Sequence, residues 1–180
     1  MSHNFHKRGD RKAPRPLNAA ALDTLALTYV GRYATTRARL ADYLRRKVRE
    51  RGWDDAGAPP VEAIIARIAE LKYVDDAAFA DARGAALARR GYGERRVAQA
   101  LAFAGVDEVD SAPARAAVKE NALEAALIFA RRKRIGPFAK GEIGPDQRRK
   151  ALAAMLRAGH DLSVSRRIVA APPGAEIDPE

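Results

Sequence analysis

The chain has no cysteine, which removes disulfide bonds, thiolate metal sites and cysteine nucleophiles together. Aromatic residues are scarce, at 6%. Beside an abundance of alanine, leucine and arginine, that scarcity favours helix over sheet. No apolar run approaches the ~20 residues a membrane span requires. The N-terminal stretch MSHNFHKRGDRKAPRP is basic but lacks the apolar core of a secretory signal. Histidines number three, and no Ser–His–Asp arrangement with supporting context accompanies them, so catalysis is not expected. His3 and His6 lack a third ligand, so neither metal nor cofactor is expected. A soluble, cytoplasmic, non-enzymatic protein with no small-molecule substrate follows.

What the chain does have is positive charge, a net +10. Residues 1–52 hold 13 Lys and Arg against 4 Asp and Glu, whereas residues 53–180 hold 20 against 19. A basic front third predicts a polyanionic partner, either nucleic acid or an acidic protein surface.

Helical periodicity begins at Leu22 and continues through Leu25, Ala26, Tyr29 and Tyr33. Thr35 or Thr36 can cap the next helix, which turns Leu40, Tyr43, Leu44 and Val48 inward. Its other face carries Arg37, Arg39, Arg45, Arg46, Lys47, Arg49 and Arg51 against only Asp42 and Glu50, too few carboxylates to neutralise it. Pro59 and Pro60 start a third helix through Val61, Ile64, Ile65, Ile68 and Leu71. Later helices are expected from Ser111 and Pro113, through Leu123–Ala130, through Leu152, Met155 and Leu156, and behind a Ser163 cap. RIGPFAKGEIGPD reads as a long loop. The pairs Leu40/Leu44, Val97/Leu101 and Leu152/Leu156 recur at spacings of 57 and 55 residues in equivalent middle helices. Each unit alone buries little, so neighbours are expected to stack end to end. The fold expected is all-α: an elongated array of three tandem three-helix repeat units. They span 19–74, 75–122 and 123–171, between a disordered basic tail at 1–18 and a disordered tail at 172–180.

The central stretch, residues 75–106, is the most specific. Asp75 and Asp76 sit where a helix start accepts carboxylates. Adjacent helical residues point about 100° apart, so the two do not converge on one ligand. Gly91 and Gly93 supply a tight turn. They form no phosphate loop, lacking both the Lys-Ser/Thr and a preceding strand. The run YVDDAAFA, followed by RRGYGERRVAQAL and AGV, resembles the RecX family of small bacterial modulators of the recombinase RecA. The likeness covers roughly residues 22–170. In the last unit, where such proteins often have Gly-Phe, this chain has Gly159, His160, Asp161 and Leu162, with Leu162 available for the aromatic's place.

The resemblance implies three tandem three-helix motifs and a regulator that lodges in the groove of the RecA–single-stranded DNA filament, restraining recombination and strand exchange. Charge clustering, and no family residue map, suggests the contact surface: Arg37, Arg39, Arg45, Arg46, Lys47, Arg89, Arg90, Arg95, Arg96, Arg131, Arg132, Lys133 and Arg134. A monomer that touches DNA at most non-specifically is expected. The competing reading is a helix-turn-helix transcriptional regulator whose second helix begins at Gly93; a third is a purely structural adaptor. Tyr29, Tyr33, Tyr43, Phe79 and Phe129 lie at helix-core spacings, so a core role is expected for each, and stacking on single strands is not.

Overall fold

The computed structural model describes residues 15–178. The expectations for the two ends therefore lie partly outside the described residues, among them everything concerning His3 and His6. The described chain forms α1 (Ala19–Val30), α2 (Arg37–Arg51), α3 (Val61–Glu70), α4 (Asp76–Arg89), α5 (Glu94–Phe103), α6 (Glu108–Glu120), α7 (Ala122–Lys133), α8 (Pro145–Arg157) and α9 (Leu162–Ala170). No strand occurs among the described residues; a single isolated bridge pairs Leu17 with Trp53.

Side-chain caps set most of the helix starts. Thr36 accepts from the Arg39 N–H at 3.2 Å, Asp75 from Ala78 at 3.0 Å and Asp107 from Asp110 at 2.8 Å. The Asp107 cap corrects the start expected at Ser111 and Pro113. Pro113 instead lies inside α6, where its missing N–H leaves free the carbonyl of Val109, a residue 82% exposed that water can serve. Asp161, rather than Ser163, caps α9. Within the expected loop after α7, Gly136–Phe138 makes one turn of 3-10 helix.

Three separate apolar clusters follow the helix trios. The first gathers Leu17, Leu22, Leu40, Leu44 and the α3 isoleucines. The second is built on Ala80, Leu87, Val97, Leu101 and Val118, and the third on Ala126, Phe129, Met155 and Ile168. Helix packing runs within each trio and between α4 or α6 and α7. Residues flanking the helices at both ends also pack onto the fold. Leu17 is fully buried and its backbone pairs with Gly52 and Asp54 at 2.9 Å. Beyond α9, Gly174 donates to the Pro137 carbonyl and Ile177 packs on the third cluster.

In the third unit the repeat register differs by one residue from the expected 55. Met155 is fully buried, whereas Leu152 and Leu156 are only half-buried. Leu101 therefore matches Met155, and Gly105 matches Gly159.

Candidate docking surface

The middle helices of the three units run head to tail. At the joint between units one and two, Thr36, the cap of α2, donates its hydroxyl to the Ala104 carbonyl at the end of α5, at 2.6 Å. The next joint repeats the arrangement in backbone atoms. Gly93, before α5, donates to Ala158 at the end of α8 at 3.0 Å, and Arg95 donates to Gly159 at 3.3 Å. In each case spare carbonyls of one helix end meet donors at the next helix start, a side-chain hydroxyl at the first joint and backbone N–H groups at the second, and opposite dipole ends face one another.

Asp76 completes the first joint. It is buried, 4% exposed, and accepts the Arg37 backbone N–H at 2.9 Å and the Arg37 Nε at 3.2 Å. Its carboxylate thus lies between the N-termini of α2 and α4, stabilised by both. The own-helix capping expected of the Asp pair belongs to Asp75 alone. Arg37 also pairs with Asp110 and lies 3.9 Å from Asp107. Its hydrogen bond to Asp76, with the charges of all three carboxylates, raises its pKa further.

His160 closes the second joint. It is 2% exposed, tilted against the Phe129 ring with centroids 5.5 Å apart, and its Nε2 lies 3.1 Å from the Gly91 carbonyl. A carbonyl only accepts, so Nε2 carries the proton. Burial lowers the imidazole pKa. His160, and not Leu162 (37% exposed), is therefore the side chain packed into this joint.

The basic residues expected to meet a partner differ in their surroundings. Several are engaged with carboxylates: Arg37 as above, Arg45 with Glu62 at 2.6 Å, Lys47 with Glu50 at 2.6 Å, Arg46 with Glu50 at 3.7 Å, and Arg95 with Asp161 at 3.7 Å. The hydrogen bond from Lys47 lowers the Glu50 pKa. Others lie over aromatic rings. Arg39 covers Phe79 across the first joint at 5.5 Å, Arg90 and Arg132 flank Tyr92 at 5.7 and 5.6 Å, and Arg131 lies over Phe138 at 4.9 Å. Arg96 bonds Gln99 at 2.6 Å. Arg89, Lys133 and Arg134 are exposed; Arg134 ends α7 in the left-handed conformation, φ +55°. The expected sites are thus not brought into one cluster: those of unit one lie apart, while Arg90 of unit two and Arg132 of unit three meet over the same Tyr92 ring.

Four of the five aromatics join or pack against the apolar clusters as expected, and Tyr33 departs. Phe129 is buried at 5%, but Tyr33 is 58% exposed, and Tyr29, Tyr43 and Phe79 are half-buried. Periodicity alone does not reveal this, since a residue at the edge of an apolar stripe keeps the same spacing as one at its centre.

No described helix is long and apolar enough to cross a membrane. Among the described residues no group of three or more acidic or histidine side chains could hold a metal. Polar chemistry here joins units, and the remaining cations face outward. Such a chain is an all-α helical-repeat protein. Over 169 residues it is 32% identical to the regulatory protein RecX of Myxococcus xanthus, covering 88% of this chain and 89% of that one. It is 34% identical over 142 residues to the regulatory protein RecX of Agrobacterium fabrum, covering 75% and 74%. The chain belongs to the RecX family of non-enzymatic regulatory proteins. No family model matches it. Crystal structures agree on the fold. RecX from Lactobacillus salivarius superposes with a TM-score of 0.62 at 17% identity, over 84% of this chain and 94% of that one. A second regulatory protein RecX gives 0.59 at 21%, over 83% and 72%.

Proposed function

We propose that this protein modulates the RecA recombinase by lodging in the groove of the RecA–single-stranded DNA filament, where it restrains ATP turnover and strand exchange. Membership of the RecX family is the observation that carries the reading. The architecture supports it. Three units joined head to tail can address successive protomers of a helical filament, and weak contacts sum through effective concentration. The contacts are assigned to the arginine and lysine residues of unit one and to those that units two and three share around Tyr92. Among them, Arg39, Arg89, Arg90, Arg96, Arg131, Arg132, Lys133 and Arg134 have no carboxylate partner among the described residues, so they give up least on docking. Arg37 contributes mainly by holding units one and two in register. The protein acts as a cytoplasmic monomer.

The helix-turn-helix reading requires the start of α5 to enter a DNA groove. That end is packed against Ala158 and Gly159 of unit three, which counts against it. A pull-down with RecA filaments assembled on single-stranded DNA tests the proposal. Capture by filaments, with no preference among duplex sequences, is the expected result. Indifference to filaments, together with selection of one duplex sequence by several kcal/mol, would sink it.

A further inference from the structure

Unit one carries an aromatic and basic pocket that the joints between units do not use. Tyr29 and Tyr43 stack with centroids 4.2 Å apart and planes 19° from parallel. Tyr33 leans on Tyr29 at 5.2 Å and 49°, and is 58% exposed. Arg46 lies 5.7 Å from the Tyr43 centroid and Lys47 5.9 Å; Arg32 is exposed and has no carboxylate partner among the described residues. These side chains line an open cavity of about 440 Å³, within the ~300–1,000 Å³ of small-ligand clefts.

We propose that this pocket, formed by Tyr29, Tyr33, Tyr43, Arg32, Arg46 and Lys47, is a nucleobase-stacking site for single-stranded DNA. An exposed ring at the end of a stacked pair offers a base a π-face, and the cations beside it answer a phosphate. The cluster around Tyr92 is not equivalent, because its ring is already flanked by Arg90 and Arg132. Glu50 holds Lys47 at 2.6 Å and Arg46 at 3.7 Å, so an incoming phosphate competes with that carboxylate. The site deepens the filament reading, in that it says how unit one would meet a DNA strand. Its test uses naked DNA, so that the two can fail separately.

Full-length protein is titrated into fluorescein-labelled oligothymidylate and, separately, into an abasic strand of equal length. Tighter binding to oligothymidylate is expected. Tyr33→Ala is expected to weaken that binding between about fivefold and a hundredfold, leaving abasic binding unchanged, while Tyr33→Phe retains affinity. Glu50→Gln is expected to strengthen binding to both strands. A 2-aminopurine placed in the oligothymidylate is expected to lose its fluorescence change in Tyr33→Ala, a loss that reports stacking itself. Since Tyr33 is exposed, the variant folds, which circular dichroism checks. Equal affinity for both strands, or a Tyr33→Ala variant that binds like the parent, overturns the site. So does a variant that binds DNA normally but is no longer captured by RecA filaments, for then the pocket is a protein contact. If the parent slows RecA yet shows no stacking, the filament reading stands without this site.

Discussion

Asp76 is an acidic side chain at a position from which water is almost excluded, and its neighbours explain why it is tolerated. Its oxygens take a backbone donor and a guanidinium from Arg37, and two helix starts add favourable dipoles. Asp76→Ala is expected to cost about 2–4 kcal/mol, since it strips a charge-assisted network and leaves an orphan donor at the start of α2. Asp75→Ala removes a solvent-facing cap and is expected to cost only about 1 kcal/mol. Urea denaturation of the two variants separates them; equal small losses would mean that Asp76 does not join the units. Adjacency in sequence made the two residues look alike. Their difference comes from a partner 39 residues away, which no local pattern announces. His160 is the same kind of residue, with its partner Gly91 69 residues back. Burial lowers its pKa in the folded state, so below the unfolded value of about 6.5 the unfolded chain binds the proton more readily. Stability is therefore present above about pH 6.5 and falls as pH drops below it. Melting curves between pH 5 and 8 are expected to show this decline, and His160→Gln to flatten it. An unchanged slope in that variant would place the titration elsewhere.

Among the elements, the helices were legible and the joints were not. Apolar spacing, Thr36 and Asp75 mark α2 and α4 because caps and stripes act within one or two turns. The start of α6 was obscured by Pro113, whose presence inside a helix depends on an exposed Val109 carbonyl. The third middle helix was misplaced by one residue because Leu152 and Leu156 advertise a stripe that Met155 in fact fills. The joints rest on close backbone approach, which glycine permits and sequence patterns do not display. A Cβ on Gly93 would lie 2.4 Å from the Gly159 carbonyl oxygen, and one on Gly159 would lie 2.3 Å from the Arg96 nitrogen. Both obstacles are backbone and cannot swing aside. Gly93→Ala is accordingly expected to cost about 3 kcal/mol by forcing units two and three apart. Gly141, with nothing within 4 Å, is the control: its alanine variant is expected to stay within about 0.5 kcal/mol of the parent. Denaturant midpoints that match for the two variants would show that the joint yields freely.

For the molecule as a whole, three small cores in series predict a shape and a mode of action together. A compact 180-residue chain would have a radius of gyration near ~16 Å. Solution scattering is expected to exceed that value, and a result at it would contradict head-to-tail stacking. Length matters because a rod that spans protomers can stall a filament substoichiometrically, as binding to single protomers cannot. The same length divides the basic surface into patches, so the charge that sequence clustering pointed to is real but distributed. What clustering could not reveal is which cations are already paired, since Glu62 meets Arg45 from another helix. Reversing Arg45, Arg46 and Lys47 to glutamate is expected to weaken binding to the RecA filament at least tenfold. Glutamate is nearly as good a helix former as arginine, so α2 survives. The new repulsion against Glu62 and Glu50 costs on the order of 0.5 kcal/mol per exposed pair, well short of unfolding. The loss is to be read as relief of RecA ATPase inhibition, at low protein-to-RecA ratios and with circular dichroism alongside. Rising salt is expected to weaken the parent in the same direction, through screening and counterion release. A triple variant that remains folded and inhibits like the parent would remove unit one's basic face from the interface and leave units two and three to carry it.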